Sequence, residues 1–215
     1  MRRRYRDEGS EADSADMLLV VGLGNPGAGH ANNRHNIGYM AIEEIARRHG
    51  FGPWRRRFYG LTCEGRFGGR RVTALKPMTY MNLSGQSVGA AMRYYRLDPG
   101  EVIVLHDEID LSPGRVRTKQ GGGNAGHNGL HSLDSHIGRN YRRVRFGVGH
   151  PGDANAVPNY VLRDFAKADT PWIDAVVDAV ATEIGALAAG DTAGFMNRVS
   201  LATEASRPAP PDSTD

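Results

Sequence analysis

The sequence predicts an α/β protein built on one mixed, mostly parallel sheet with helices on both faces, and three observations carry that expectation. Short apolar runs of strand length alternate along the chain with stretches whose apolar residues recur at helical spacing. The runs at residues 17–22 and 101–105 are apolar nearly throughout, as strands buried on both faces are. At 215 residues and 40% hydrophobic, the chain without its polar ends can bury one sizeable core but is short for two full domains.

Met17-Leu-Leu-Val-Val-Gly22 reads as the first strand, stopped by glycine. Asn36 can cap a helix carrying Ile37, Met40, Ala41 and Ile45, with Gly50 as its stop. A strand pair follows at 58–64 and 71–76, joined through 65–69. Ser84 or Asn82 opens a helix through Ala90, Ala91 and Tyr94 that ends at Asp98-Pro-Gly100. Residues 101–105 form the next buried strand, and 115–118 a short one. A Gly-rich loop at 121–126 leads into a helix to about Ile137, and 144–148 is the last strand. Residues 170–188 and 191–202, Ala-rich and amphipathic, close the fold as helices. Residues 1–16 and 206–215 lack apolar periodicity, so both are expected as disordered tails around one domain at 17–205.

Charge is unevenly spread. Residues 1–16 hold four Arg against five acids and 206–215 one Arg against two, so the body between them carries +5 although the whole chain carries +3. Residues 47–71 hold eight Arg and one acid, and 139–145 add four Arg, whereas 151–200 are acidic. Such asymmetry suits a partner with a phosphate backbone, because bound Arg and Lys release condensed counterions, and it equally suits a solvated Arg-rich surface. The single Cys63 excludes an internal disulfide or a Cys-rich zinc site, and in its alternating stretch it reads as a small strand residue. Apolar runs fall short of the ~20 residues a membrane-crossing helix needs, and no signal-peptide pattern opens the chain. A cytoplasmic protein with no membrane partner is expected.

Gly22-Leu-Gly-Asn-Pro-Gly27 matches a dinucleotide fingerprint directly after a strand, with Glu43 or Glu44 about 20 residues on. That motif needs a helix starting at its second and third glycines. Here Pro26 and a polar stretch delay the first helix to near Asn36, which argues against NAD.

More informative are polar residues at strand ends, where open α/β sheets place their ligand crevices. Asn25 follows the first strand, His35 and Asn36 stand at the mouth of the first helix, and Asn82 lies beyond the strand ending near Lys76. Asp107 ends the 101–105 strand, and His127 and Asn128 open another helix. Each Asn alone could be a cap or turn former; together these loops supply the parts of one site. Asp107 bonded to one ring nitrogen of His35 would fix its tautomer and leave the other nitrogen to take a proton from water. Asn side chains can hold an amide backbone and steady an oxyanion without adding charge. Ser84, Ser87 and Cys63 lack the setting of a nucleophile, so direct attack by water is the economical mechanism. A metal at His106-Asp-Glu-Ile-Asp110 is the alternative, but acids on opposite faces of a strand end make no cage.

With these residues placed, the chain resembles bacterial-type peptidyl-tRNA hydrolase over nearly all of 17–200. Four blocks carry the likeness: Val21-Gly-Leu-Gly-Asn-Pro-Gly27 with Arg34-His-Asn-Ile-Gly38, Lys76-Pro-Met-Thr-Tyr-Met-Asn-Leu-Ser-Gly85, His106-Asp-Glu-Ile-Asp110, and Gly126-His-Asn-Gly129 followed by Phe146-Gly-Val-Gly-His-Pro-Gly152. The resemblance implies a monomeric esterase, free of metal and cofactor, that cleaves the bond between a peptide and the 3′-terminal ribose of tRNA. It makes His35 the base and Asp107 its stabiliser. Asn25 would separate N-blocked from free aminoacyl-tRNA, and Asn82, Asn128 and Tyr80 would bind the peptide and the 3′ end. Lys119 and Arg145 would clamp the terminal phosphate of the tRNA. His30 and Asn33 depart from the Tyr and Thr usual there, so a ring contact at His30 is only partly retained. A relative that binds RNA without catalysis is the competing reading, disfavoured by the presence of His35, Asp107 and all three Asn.

Overall fold

The computed structural model describes residues 16–208. The elements are β1 (Met17–Gly22), α1 (Ile37–Arg48), β2 (Arg55–Arg57), β3 (Gly60–Phe67), β4 (Arg70–Pro77), α2 (Ser84–Tyr95), β5 (Val102–Glu108), β6 (Val116–Gln120), α3 (Asn128–Ile137), β7 (Arg142–Gly147), α4 (Val157–Val161), α5 (Thr170–Ala188) and α6 (Thr192–Thr203). The seven strands form one sheet in the order β2-β3-β4-β1-β5-β7-β6. Parallel pairing holds the four central strands together, and antiparallel pairing adds β3 and β2 at one edge and β6 at the other.

Alternation of side chains across the pleat explains why both faces are covered. Leu18, Val20, Ile103 and Leu105 point to one core, shared with Ile42 and Ile45 of α1, Val180 of α5 and Phe195 of α6. Leu19, Val21, Val102 and Val104 point to the other, shared with Val88 of α2 and Leu133 of α3. The glycine motif serves this packing. A Cβ on Gly22 would lie 2.3 Å from the Gly38 carbonyl oxygen, and one on Gly38 would lie 2.3 Å from the Leu105 oxygen. The first turn of α1 thereby sits directly on the ends of β1 and β5.

Several elements differ from the sequence reading. Arg55–Arg57 is a strand that was not foreseen, and the next strand starts at Gly60, because Phe58 and Tyr59 form a two-residue turn with φ of 51° and 54°. An aromatic pair carries none of the usual signals for such a turn. Strand β3 runs through Phe67, so the next turn is Gly68-Gly69 alone. Strand β6 extends to Gln120 and β7 begins at Arg142. Helix α4 lies in the stretch between the last expected strand and the helix at 170–188, to which the sequence assigns no element. Of the expected tails, all but Asp16 and residues 206–208 lie outside the described residues; Arg207 donates to the Ser200 carbonyl at 2.8 Å.

Candidate active site

Packing of α1 against β5 brings His35 to Asp107. The His35 Nδ1 lies 2.9 Å from Asp107 Oδ1 and 3.0 Å from Oδ2, with both residues buried. A third residue completes the group: His127 Nε2 lies 3.1 Å from Asp107 Oδ1, and its ring is 4.7 Å from that of His35. The protons follow from the partners. His127 caps α3 by accepting the Gly129 and Leu130 backbone N–H groups at Nδ1, so its proton sits on Nε2 and is donated to Asp107. Asp107 then accepts Nδ1–H of His35, and the remaining His35 nitrogen, Nε2, keeps a lone pair. His127 appeared in the sequence only as a helix-entry residue; its bond to an acid twenty positions earlier has no local signature.

Burial opposes charge on His35, but the attraction and hydrogen bond of Asp107 outweigh it and raise the imidazole pKa above its ordinary value. Burial likewise opposes ionisation of Asp107, yet His35 and His127 hold its carboxyl well below the usual carboxylate range. His106, fully enclosed behind them, is pushed down to about 3, by burial first and by His127 next. Its Nδ1–H donates to the Asp107 carbonyl at 2.7 Å, which fixes the backbone under the acid.

His35, Asp107, His127 and Asn128 line one cavity of about 350 Å³, walled by Val157, Pro158 and Val161 of α4. The segment carrying α4 is tied to the His35 loop: Arg34 donates to the Asp164 carbonyl at 2.9 Å and lies over the Tyr160 ring.

The expectation that all three amides line a single hollow needs correction. Asn25 lines a separate hollow of about 190 Å³, with Lys76 and Met78. Asn36 does not cap its helix; its side chain bonds the Asn25 backbone in both directions, at 2.9 Å each. Asn25 Oδ1 in turn accepts Met81 N–H at 2.8 Å. Asn25 is therefore a tie between the His35 loop and the turn bearing Tyr80 and Asn82, with its Nδ2 left over. Both Tyr80 and Asn82 are exposed on that turn.

The basic residues also divide. Lys119 is exposed, whereas Arg145 is bonded to Glu108 through Nε and a terminal nitrogen, at 2.9 Å each. With Arg117 opposite Arg145 and Lys119 opposite Arg143, Lys119 and Arg145 are diagonal neighbours on one face of β6–β7. Arg143, read as part of a basic surface, is buried and holds the Gly122 and Gly123 carbonyls, and Arg142 holds Leu187. His30 and Asn33 bond each other at 3.0 Å, and Asn33 donates to Asp164 at 2.7 Å, so the two departures form one internal link. Cys63 is a buried strand residue whose thiol burial pushes up to about 12.

The profile of the family described as "Peptidyl-tRNA hydrolase" matches residues 19–208. A peptidyl-tRNA hydrolase of Cereibacter sphaeroides is 60% identical over 192 residues, covering 89% of this chain and 85% of the relative. One from Paracoccus denitrificans is 63% identical over 183 residues, covering 85% and 78%. The crystal structure of peptidyl-tRNA hydrolase from Acinetobacter baumannii superposes with a TM-score of 0.81 at 38% identity, covering 86% of this chain and 94% of that one. With likeness running through sequence and fold alike, the chain belongs to the peptidyl-tRNA hydrolase family.

Proposed function

We propose that the protein hydrolyses the ester joining a peptide to the 3′-terminal ribose of tRNA, with His35 as the base that activates water. The observation that carries this reading is the 2.9 Å contact of His35 Nδ1 with Asp107 at the wall of the cavity. His35 Nε2 takes a proton as the water oxygen attacks the carbonyl carbon. The imidazolium so formed is stabilised by buried Asp107, which His127 holds in place. Asn128 at the cavity and Nδ2 of Asn25 donate to the substrate carbonyls, and the Asn25 contact favours a peptide amide over a free amine. When the tetrahedral intermediate collapses, the ester C–O bond breaks and the departing 3′ oxygen takes the proton back from His35.

On this reading Lys119, with Arg145 steadied by Glu108, receives the terminal phosphate of the tRNA, and Tyr80, Asn82 and His30 form the rim. No metal or cofactor takes part. Donor atoms of His35, Asp107 and His127 lie within 4.8 Å of one another, close enough for a cation. A metal would need the His127 Nε2 lone pair, however, and would move its proton to Nδ1, against two backbone N–H groups. The reading carries with it a cytoplasmic monomer; among the described residues, no helix is long and apolar enough to cross a membrane.

Turnover of a labelled peptidyl-tRNA by wild type and His35→Ala tests this. The variant should lose ~10²–10⁴-fold in rate while still binding tRNA. An active variant would remove His35 from the chemistry, and a wild type that binds tRNA without releasing peptide would leave an RNA-binding protein.

A further inference from the structure

Of the seven large apolar side chains exposed among the described residues, five are Tyr59, Met78, Tyr80, Leu83 and Tyr94. Tyr59 and Met78 line one hollow, Tyr94 packs on Phe58 beside it, and Tyr80 and Leu83 follow Met78 on the turn after β4; Tyr59, Met78 and Tyr94 make an apolar ridge there. Met78 N–H donates to the Tyr59 carbonyl at 2.9 Å, Leu83 N–H to that of Tyr80 at 2.9 Å, and Tyr94 packs 5.3 Å from Phe58, the neighbour of Tyr59. The hollow beside the ridge is about 430 Å³ and is lined by Arg56, Phe58, Tyr59, Met78 and Thr79. The turn at its tip keeps two aromatic residues at positive φ, where Asn-Gly would be free of strain, and Tyr59 is 70% exposed. Core packing does not account for that side chain.

The register fixes where the ridge sits. Gly60 pairs with Pro77 and Leu75 with Val21, so the turn lies at the same end of the sheet as His35 and Asp107. The substrate ester has two arms, which leave the catalytic centre in different directions. Lys119 and Arg145 lie toward the β6 edge of the sheet, and the ridge toward the β2 edge. Arg57 is committed to the Phe58 and Tyr94 rings at 4.7 Å each, and exposed Arg56 lines the hollow beside it.

Resting on the function proposed above, we propose that this ridge binds the peptide arm of the substrate, several residues upstream of the ester. Aromatic and thioether side chains make adaptable contacts that do not depend on one peptide sequence. From β1 to β2 the sheet spans three strand spacings, roughly 14 Å or about four extended residues. A single blocked aminoacyl group cannot cover that distance.

The test compares N-acetyl-aminoacyl-tRNA with the same tRNA carrying a neutral peptide of about eight residues. The variants are Tyr59→Asn, which suits the left-handed backbone there, and Tyr94→Ser. On the long substrate KM should rise about fivefold with kcat unchanged, and on the short substrate neither should change. Thermal stability of Tyr59→Asn should be equal to wild type or higher, which a merely structural tyrosine would not allow. Equal effects on both substrates, or none on either, would overturn the assignment. Weaker binding of deacylated tRNA by the variants would give the ridge to RNA and overturn it too. Failure of the wild type on both substrates would instead sink the hydrolase reading, independently of the ridge.

Discussion

The centre of the site and its rim are built in opposite ways. His35, Asp107 and His127 have little exposed surface, and they bond one another or nearby backbone. Tyr80, Asn82 and Lys119 are exposed. A buried carboxylate is tolerable only when paired, so folding must assemble this group before any substrate arrives. Exposed groups face no such requirement and are completed only by what they bind. Variants at the centre should therefore act on kcat, and variants at the rim on KM.

After the loss of His35 itself, the largest expected effect is at the shared acid. His127→Leu removes one of the two imidazoles on Asp107 and the cap of α3. Outer partners of this kind are worth ~10–100-fold, so kcat should fall by about that much, and lost capping should cost about 1 kcal/mol of stability. An unchanged kcat would separate His127 from the chemistry and leave it a cap. Asn25→Ala lies between the regions, since it removes both the donor proposed for the substrate and the tie to Met81. It should lower kcat/KM about tenfold and weaken discrimination against unblocked aminoacyl-tRNA, the result expected from losing a hydrogen bond to an amide. Unaltered selectivity would leave Asn25 as a girder only. Lys119→Ala should have the smallest effect: a KM a few-fold higher on full-length tRNA, a salt slope reduced by about one, and no change on a minimal ester lacking the phosphate. An equal loss on that ester would remove the clamp.

The division between centre and rim also governs what was legible in the sequence. The strands at 17–22 and 101–105 declare themselves because both faces are buried, and His35 and Asp107 stand out because one opens a helix and the other lies at the end of a buried strand. Their contact, though, depends on Gly22 and Gly38 letting α1 approach β5, a long-range event that local pattern does not encode. Asn36 resembles a cap by type and position, and only tertiary structure turns its amide toward Asn25. Arginine counts misled for a similar reason. Four Arg within 139–145 read as exposed charge, phosphate-facing or solvated, but Arg143 and Arg142 hold backbone carbonyls inside the fold. The Phe58-Tyr59 turn was missed because its backbone is imposed by the pairing of β2 with β3 against the preference of its residues.

The most direct test of the His35–Asp107 pair is the pH dependence of kcat/KM on peptidyl-tRNA, measured for wild type and Asp107→Asn. In the proposed mechanism His35 acts as a base only when unprotonated, so activity should rise with pH through its pKa. That pKa is raised by Asp107 against the opposing effect of burial, so the wild-type midpoint should lie above 6.5. The same shift stabilises the fold at pH values below about 6.5 and is lost as pH rises through the higher, folded-state value. In Asp107→Asn burial is left unopposed, so the midpoint should fall below 6.5 and the plateau should drop by ~10²-fold or more. A midpoint that stays where it was would contradict the account, because the acid would then have no hold on the base.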